Sequence, residues 1–194
     1  MQVDILNWGA PGWRSAAAMI EAHFQAVHGA DLTMPALPLA VARGGEGRIL
    51  GAAGLRDAST GFFSQTYLDC SVAEKLSRVS GMEVAPEEVI EVVSMACPTP
   101  IATLPLIEAI TAEGRRRGAH WGLFTATAPL MRMLRRTGVP LVALAPARPD
   151  RLPDAARWGR YYETAPWVCA LPERAEPLRF MPRRGAPLIE VRPA

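Results

Sequence analysis

At 194 residues the chain has the size of one domain and enough length to bury about two-thirds of its unfolded surface. Its 49% apolar and 21% charged residues exclude a disordered chain; no apolar run approaches the roughly 18 residues of a membrane helix, and Met1-Gln2-Val3-Asp4 lacks the basic segment and apolar core of a signal peptide. The net charge of +2 is too small for a nucleic-acid-binding face, and three cysteines make no disulfide framework, so a cytoplasmic, reducing location is expected.

The first helix is read over Ser15 to Gly29, with Ser15 as its cap, Ile20, Phe24 and Val27 at helical spacing, and Gly29 at its end. Leu37 to Ala42 reads as a short strand, Gly44 to Gly47 as a hairpin turn, and Arg48 to Leu55 as the partner strand. Short helices are expected over Phe62 to Leu68 and over Val72 to Val79, the latter capped by Ser71 with Glu74 and Lys75 facing water. Val89 to Ala96 is β-branched and apolar, which suits a buried strand. Thr99 is placed to cap a helix from Ile101 to about Arg117 that turns Leu104, Ile107, Ile110 and Ala112 inward. Trp121 to Thr127 reads as a strand and Pro129 to Gly138 as a helix carrying Leu130, Met133 and Leu134. Val139 to Ala145 reads as a further strand. Strands and helices in alternation predict an α/β domain over 1–171, a sheet covered by helices with some parallel pairing. Beyond Ala147 proline and arginine accumulate, and 172–194 reads as an extended arm.

Charge is distributed unevenly. Acidic residues such as Glu83, Glu87, Glu88 and Glu91 lie in the first half. Arg115, Arg116, Arg117, Arg132, Arg135, Arg136, Arg157 and Arg160 lie in the second, and Lys75 is the sole lysine. Guanidinium groups suit phosphate or carboxylate ligands, although arginines on helix faces often serve solubility alone.

Five blocks then point to a family: Gly51-Ala52-Ala53-Gly54-Leu55-Arg56, Phe63-Ser64-Gln65-Thr66-Tyr67-Leu68-Asp69, Ile90-Glu91-Val92-Val93-Ser94-Met95-Ala96, Trp121-Gly122-Leu123-Phe124-Thr125-Ala126-Thr127 and Trp158-Gly159-Arg160-Tyr161-Tyr162-Glu163-Thr164-Ala165-Pro166. In this order they resemble the thermostable hemolysin family, over about 30–170. The resemblance implies a fold of the acetyltransferase and autoinducer-synthase type, a GNAT-like mixed central sheet flanked by helices. It implies a pantetheine arm between two diverging strands, the one ending at Ala96 and the one beginning at Trp121, with Met95, Ala96, Cys97 and Thr99 nearest the donor. The family usually has a glutamate at the position of Gln65, and Asn-Leu-Ala where Ser94-Met95-Ala96 stands. Its name implies haemolysis, for which a membrane span or amphipathic repeat is missing.

Acyl transfer to an amine needs a base for the ammonium proton, an acid for the leaving thiolate and a site for the thioester carbonyl. Glu91 is the first candidate base, since a carboxylate in an apolar strand is raised in pKa unless paired; an ion pair with Arg56 is the structural alternative. Tyr161 and Tyr162 can supply a phenol to the thiolate or can pack in the core beside Trp158. Thr125 and Thr127, two apart on a strand, can orient a substrate, and Arg56 can bind a carboxylate. Gln65, Tyr67, Ser94, Trp121 and Trp158 complete the expected substrate-binding set. Cys97 stands at a strand-to-helix turn, but His23, His28 and His120 are remote from it, so neither a cysteine nucleophile nor a metal site is expected. Pro98 and Pro100 remove amide donors from the turn where coenzyme A phosphates would sit. The expected function is therefore acyl transfer from an acyl carrier protein or acyl-coenzyme A, with acyl-phosphopantetheine as co-substrate, to a small amine. The six arginines at 115–117, 132, 135 and 136 would face an acidic carrier. A non-catalytic module on the same fold and a membrane-lytic protein are the alternatives, and a homodimer is open.

Overall fold

The β-branched run Val89-Ile90-Glu91-Val92-Val93 lies at the middle of the sheet, where apolar residues are needed on both faces. The computed structural model describes residues 1–173. Its strands are β1 (Gln2–Leu6), β2 (Leu39–Arg43), β3 (Ile49–Arg56), β4 (Val89–Ala96), β5 (Trp121–Ala126), β6 (Val142–Pro146) and β7 (Trp167–Pro172), in the sheet order β1-β2-β3-β4-β5-β7-β6. The helices are α1 (Trp13–His28), α2 (Val72–Ser80), α3 (Thr103–Arg116) and α4 (Ala128–Arg136). All neighbouring pairs are antiparallel except β4 and β5.

Helices cover both faces. Leu39, Val41 and Ala52 pack with Ile20 and Phe24 of α1, and Val89, Trp121 and Leu123 with Val72 and Leu76 of α2. On the other face, Ala40, Ala53, Leu55 and Ile90 meet Leu106 and Ile110 of α3, while Cys169 and Leu171 meet Met131 and Leu134 of α4. These are the apolar rows that the strand alternation and the helical spacing place inward.

Several expectations are corrected. Helix α1 begins at Trp13, with Gly12 at its N-cap in a left-handed conformation, so Ser15 lies inside the helix; Val27 faces solvent. Strand β2 is shifted to Leu39–Arg43, because Trp13 Nε1 holds the Leu37 carbonyl at 2.7 Å and takes that residue out of the ladder. Phe63–Tyr67 is a 3₁₀ turn. Thr99 caps nothing with its side chain; a 3₁₀ turn over Pro100–Ala102 leads into α3 instead. Ser71 does cap α2, in a reciprocal capping box with Glu74. Thr127 is not a strand residue: its hydroxyl accepts from the Leu130 amide at 3.4 Å and caps α4. Strands β1 and β7 were not expected, and Pro172, placed at the head of an arm, ends β7. The remainder of that arm, 174–194, lies outside the described residues.

Strand β7 inserts between β5 and β6, so β6 runs parallel to β5 without touching it. Among the described residues the single parallel contact of the sheet is thus β4 with β5, paired from Val89↔Trp121 to Val92↔Phe124. Beyond that point the strands part. Val93 and Ala96 stay with β3 while Thr125 and Ala126 stay with β7, which opens a gap through the sheet.

Candidate active site

Strand β4 is bent where it leaves β5. Between Ala52↔Ala96 and Gly54↔Val93 it carries one residue more than β3, a bulge centred on Ser94, whose φ of 49° is left-handed. For a residue with a Cβ that conformation costs about 1–2 kcal/mol. Gly54 is required opposite, since a Cβ there would come within 2.8 Å of Val93 Cγ2.

A cavity of about 610 Å³ passes through the gap, a size suited to a small-molecule site. On the α1 face its walls include Phe24, Met34, Phe63, Tyr67 and Trp158; on the other face they include Ile107, Ile110, Phe124, Leu130 and Leu134. Residues from opposite faces of one sheet share the cavity because the strands between them have separated. Of the residues singled out from sequence, Arg56, Tyr67, Ser94, Met95, Trp121, Thr125, Thr127, Trp158 and Tyr161 line it.

Glu91 lies behind the wall. It is fully buried, and its two oxygens accept the amides of Phe63 at 2.6 Å and Ser64 at 2.7 Å. Burial pushes its carboxyl above the ordinary value, opposed by the Ser64 and Phe63 hydrogen bonds and by the Arg56 charge. Arg56 is its cross-strand neighbour but donates to the Thr60 and Gly61 carbonyls at 3.0 and 3.3 Å. The ion pair offered as an alternative is therefore a through-space influence rather than a contact. The carboxylate fastens the 3₁₀ turn to the sheet, and Ser64 is thereby brought to the cavity, its hydroxyl 3.1 Å from that of Thr125. Ser64 is the residue that sequence reasoning passed over. The available signal was the pairing of a buried strand carboxylate with a Phe-Ser turn able to present two amides.

Tyr67 and Tyr162 share a hydroxyl–hydroxyl bond of 2.8 Å. Tyr67 faces the cavity, and burial followed by the Tyr162 bond raises its phenol far above the ordinary value. Tyr161 is also raised, by burial, and stacks among Phe24, His28 and Trp158. The Trp-Gly-x-Tyr-Tyr block has a packing reason. Gly159 at φ 53° and ψ −125° lies so close to α1 that a Cβ would meet the His28 carbonyl at 2.2 Å. Arg160 then donates its amide to the same carbonyl at 2.8 Å. The glycine docks the aromatic segment onto the C-terminus of α1.

Gln65 turns away from the cavity, its Oε1 accepting from the Val72 amide at 3.4 Å. A glutamate there would sit at the α2 N-terminus, so this exchange removes no carboxylate from the cavity wall. Cys97 packs against Gly51 and Thr103 with its thiol raised by burial, and neither it, Ala96 nor Thr99 lines the cavity. At the head of α3, Pro98, Pro100 and Pro105 carry no amide hydrogen, and the amides of Thr99 and Ala102 already donate to Leu50 and Thr99 carbonyls. Among the α3 arginines, Arg115 pairs with Glu173, and Arg116 and Arg117 with Glu113, whose carboxyl is held down to about 2 by those arginines. Arg132, Arg135 and Arg136 on α4 have no ion pair among the described residues.

A mixed sheet parted between its two parallel strands, bulged at the parting and covered by helices on both faces, defines an acyl-CoA N-acyltransferase-like fold. Solved structures of that kind are similar to it. The AHL synthase LasI matches at 11% identity with a TM-score of 0.58, covering 88% of this chain and 89% of LasI. FeeM, an N-acyl amino acid synthase from uncultured soil microbes, matches at 16% and 0.56, covering 89% and 95%. The C-terminal condensation domain of Ebony, in complex with beta-alanyl-dopamine, matches at 15% and 0.56, covering 89% and 100%. Comparison with curated proteins finds no significant match. The family model described as thermostable hemolysin matches residues 6–175, and the chain belongs to that family. No helix among the described residues is long and apolar enough to cross a membrane.

Proposed function

We propose that the chain transfers an acyl group from a thioester to a small amine, with the pantetheine arm in the gap between β4 and β5. The observation that carries this reading is the cavity running through that gap, which joins a polar, aromatic chamber on the α1 face to an apolar groove between α3 and α4. The chamber takes the acceptor and the groove takes the acyl chain. From Ile107 to Arg115 the groove follows nine residues of α3, a rise of about 12 Å.

The amine nitrogen attacks the thioester carbon, and the oxygen that gains charge is met by backbone groups at the Ser94–Met95 bulge. The ammonium proton passes through the Ser64 and Thr125 hydroxyls to Glu91, whose carboxyl is raised above its ordinary value by burial. The carbon–sulfur bond breaks, and Tyr67, kept protonated by burial, donates a hydrogen bond to the sulfur until the thiolate takes up a proton from solvent. The haemolytic name enters no step of this chemistry.

A carrier-bound donor is favoured over free coenzyme A. The first turn of α3 is depleted of amide donors for a diphosphate, and the α4 arginines offer unpaired positive charge to an acidic carrier. The test is turnover of both donor types with a panel of amines. Free thiol and amide must appear together, and silence with every combination removes the reading.

A further inference from the structure

Arg56 lines the chamber and is not consumed by its neighbours. Its Nη1 donates to the carbonyls of Thr60 and Gly61. Among the described residues, Nε and Nη2 have no hydrogen-bond partner, and no carboxylate lies within ion-pair reach. Glu91, the cross-strand neighbour of Arg56, has both oxygens committed to the Phe63 and Ser64 amides. The Nε and Nη2 hydrogens share one edge of the guanidinium plane, the edge that grips a carboxylate through two parallel bonds.

The position of that edge relative to the nucleophile is set by the sheet. Arg56 pairs directly with Glu91, and Glu91 with Leu123, so all three share the α1 face; Thr125 lies two residues further along that face. The β3 and β5 rows are two strand spacings apart, about 10 Å. Arg56, Ser64 and Thr125 all line the one cavity. A ligand in that cavity that holds its amine at the Ser64 and Thr125 hydroxyls can present a carboxylate to the free guanidinium edge.

We infer that the acceptor is an amino acid, its carboxylate bound two-point by Arg56 and its amine presented to Ser64 and Thr125. This rests on the acyl-transfer reading and narrows it. The bond formed joins the amino nitrogen to the acyl carbon and the bond broken is carbon–sulfur. The amine proton leaves toward Glu91, the thiolate is protonated, and the carboxylate is unchanged. The product is an N-acyl amino acid.

The experiment compares leucine with isoamylamine, which lacks only the carboxylate, using dodecanoyl-loaded acyl carrier protein and dodecanoyl-coenzyme A as donors. The wild-type protein should prefer leucine by at least tenfold in kcat/KM. Arg56→Gln should collapse that ratio toward one, chiefly through KM, and Arg56→Lys should restore part of it. Equal use of the two acceptors by the wild-type protein overturns the inference, and so does an unchanged ratio in Arg56→Gln, the result of a merely structural role at Thr60 and Gly61. Calorimetric binding of N-dodecanoyl-leucine and N-dodecanoyl-isoamylamine needs no turnover and separates the two readings. If the thioester is untouched yet the first ligand binds at least tenfold tighter, acyl transfer falls and the carboxylate site stands. Equal binding overturns the site.

Discussion

Replacing Glu91 by Gln probes the residue on which fold and chemistry meet. The carboxylate accepts amide bonds of 2.6 and 2.7 Å, each charge-assisted and fully shielded. Such bonds contribute about 1.5–3 kcal/mol apiece. A glutamine oxygen retains one of them in neutral form, while its NH₂ faces a second amide donor and leaves it unsatisfied. The variant is relieved of the cost of burying a charge, so the net loss should be roughly 2–3 kcal/mol, a fall in Tm of roughly 5–10 °C for a chain of this size. The pH dependence carries a sign. A folded pKa raised above 4.5 means that the folded state holds its proton longer than the unfolded state. The wild-type protein therefore loses stability as pH climbs from the unfolded value through the folded one, and Glu91→Gln lacks that slope. Melting both proteins by circular dichroism across pH 4 to 8 reads both quantities. Turnover of the folded variant should fall by about 10²–10⁴. Equal Tm values with parallel pH profiles would refute the hydrogen-bonding argument, and unchanged turnover would remove Glu91 from the proton path.

The remaining predictions concern backbone. Gly159→Ala places a Cβ 2.2 Å from the His28 carbonyl, with no flexible side chain to yield. It should cost about 3 kcal/mol or more and shift Trp158 fluorescence as the aromatic segment leaves α1; an unperturbed spectrum and Tm would contradict the docking role. Ser94→Gly should be tolerated within about 1 kcal/mol, because it relieves the left-handed strain at φ 49°. Ser94→Val should lose about 1–2 kcal/mol by chemical denaturation, and equal midpoints for the two would argue against the bulge geometry.

The elements legible in the sequence were those whose burial is written locally. Strand β4 emerged with its observed bounds, Val89–Ala96, because a β-branched, apolar run interrupted only by Glu91 and Ser94 suits a strand at the middle of a sheet. Strand β1 was missed because Gln2-Val3-Asp4-Ile5-Leu6 is a short edge strand with polar residues on one side, which only its pairing with β2 defines. Strand β7 was missed because Trp167–Pro172 follows a stretch dominated by proline and arginine, whose composition masked a six-residue strand. The candidate site was legible where a residue type is costly in its own setting, as Glu91 is in an apolar strand. It was illegible where the partner is distant: Ser64 gains its place from a carboxylate 27 positions away, and Tyr67 meets Tyr162 across 95. Thr127 was misassigned because a threonine at a strand's end and one at a helix's N-cap look alike until the chain turns.

The most direct test of the central claim is the release of free thiol from dodecanoyl-loaded acyl carrier protein, with the amide identified in the same reaction by mass spectrometry. The wild-type protein should release thiol only when an amine is present, in step with the amide, and faster from the carrier than from coenzyme A. No release from either donor with any amine, by a protein shown to be folded, would contradict acyl transfer as the use of the gap between β4 and β5.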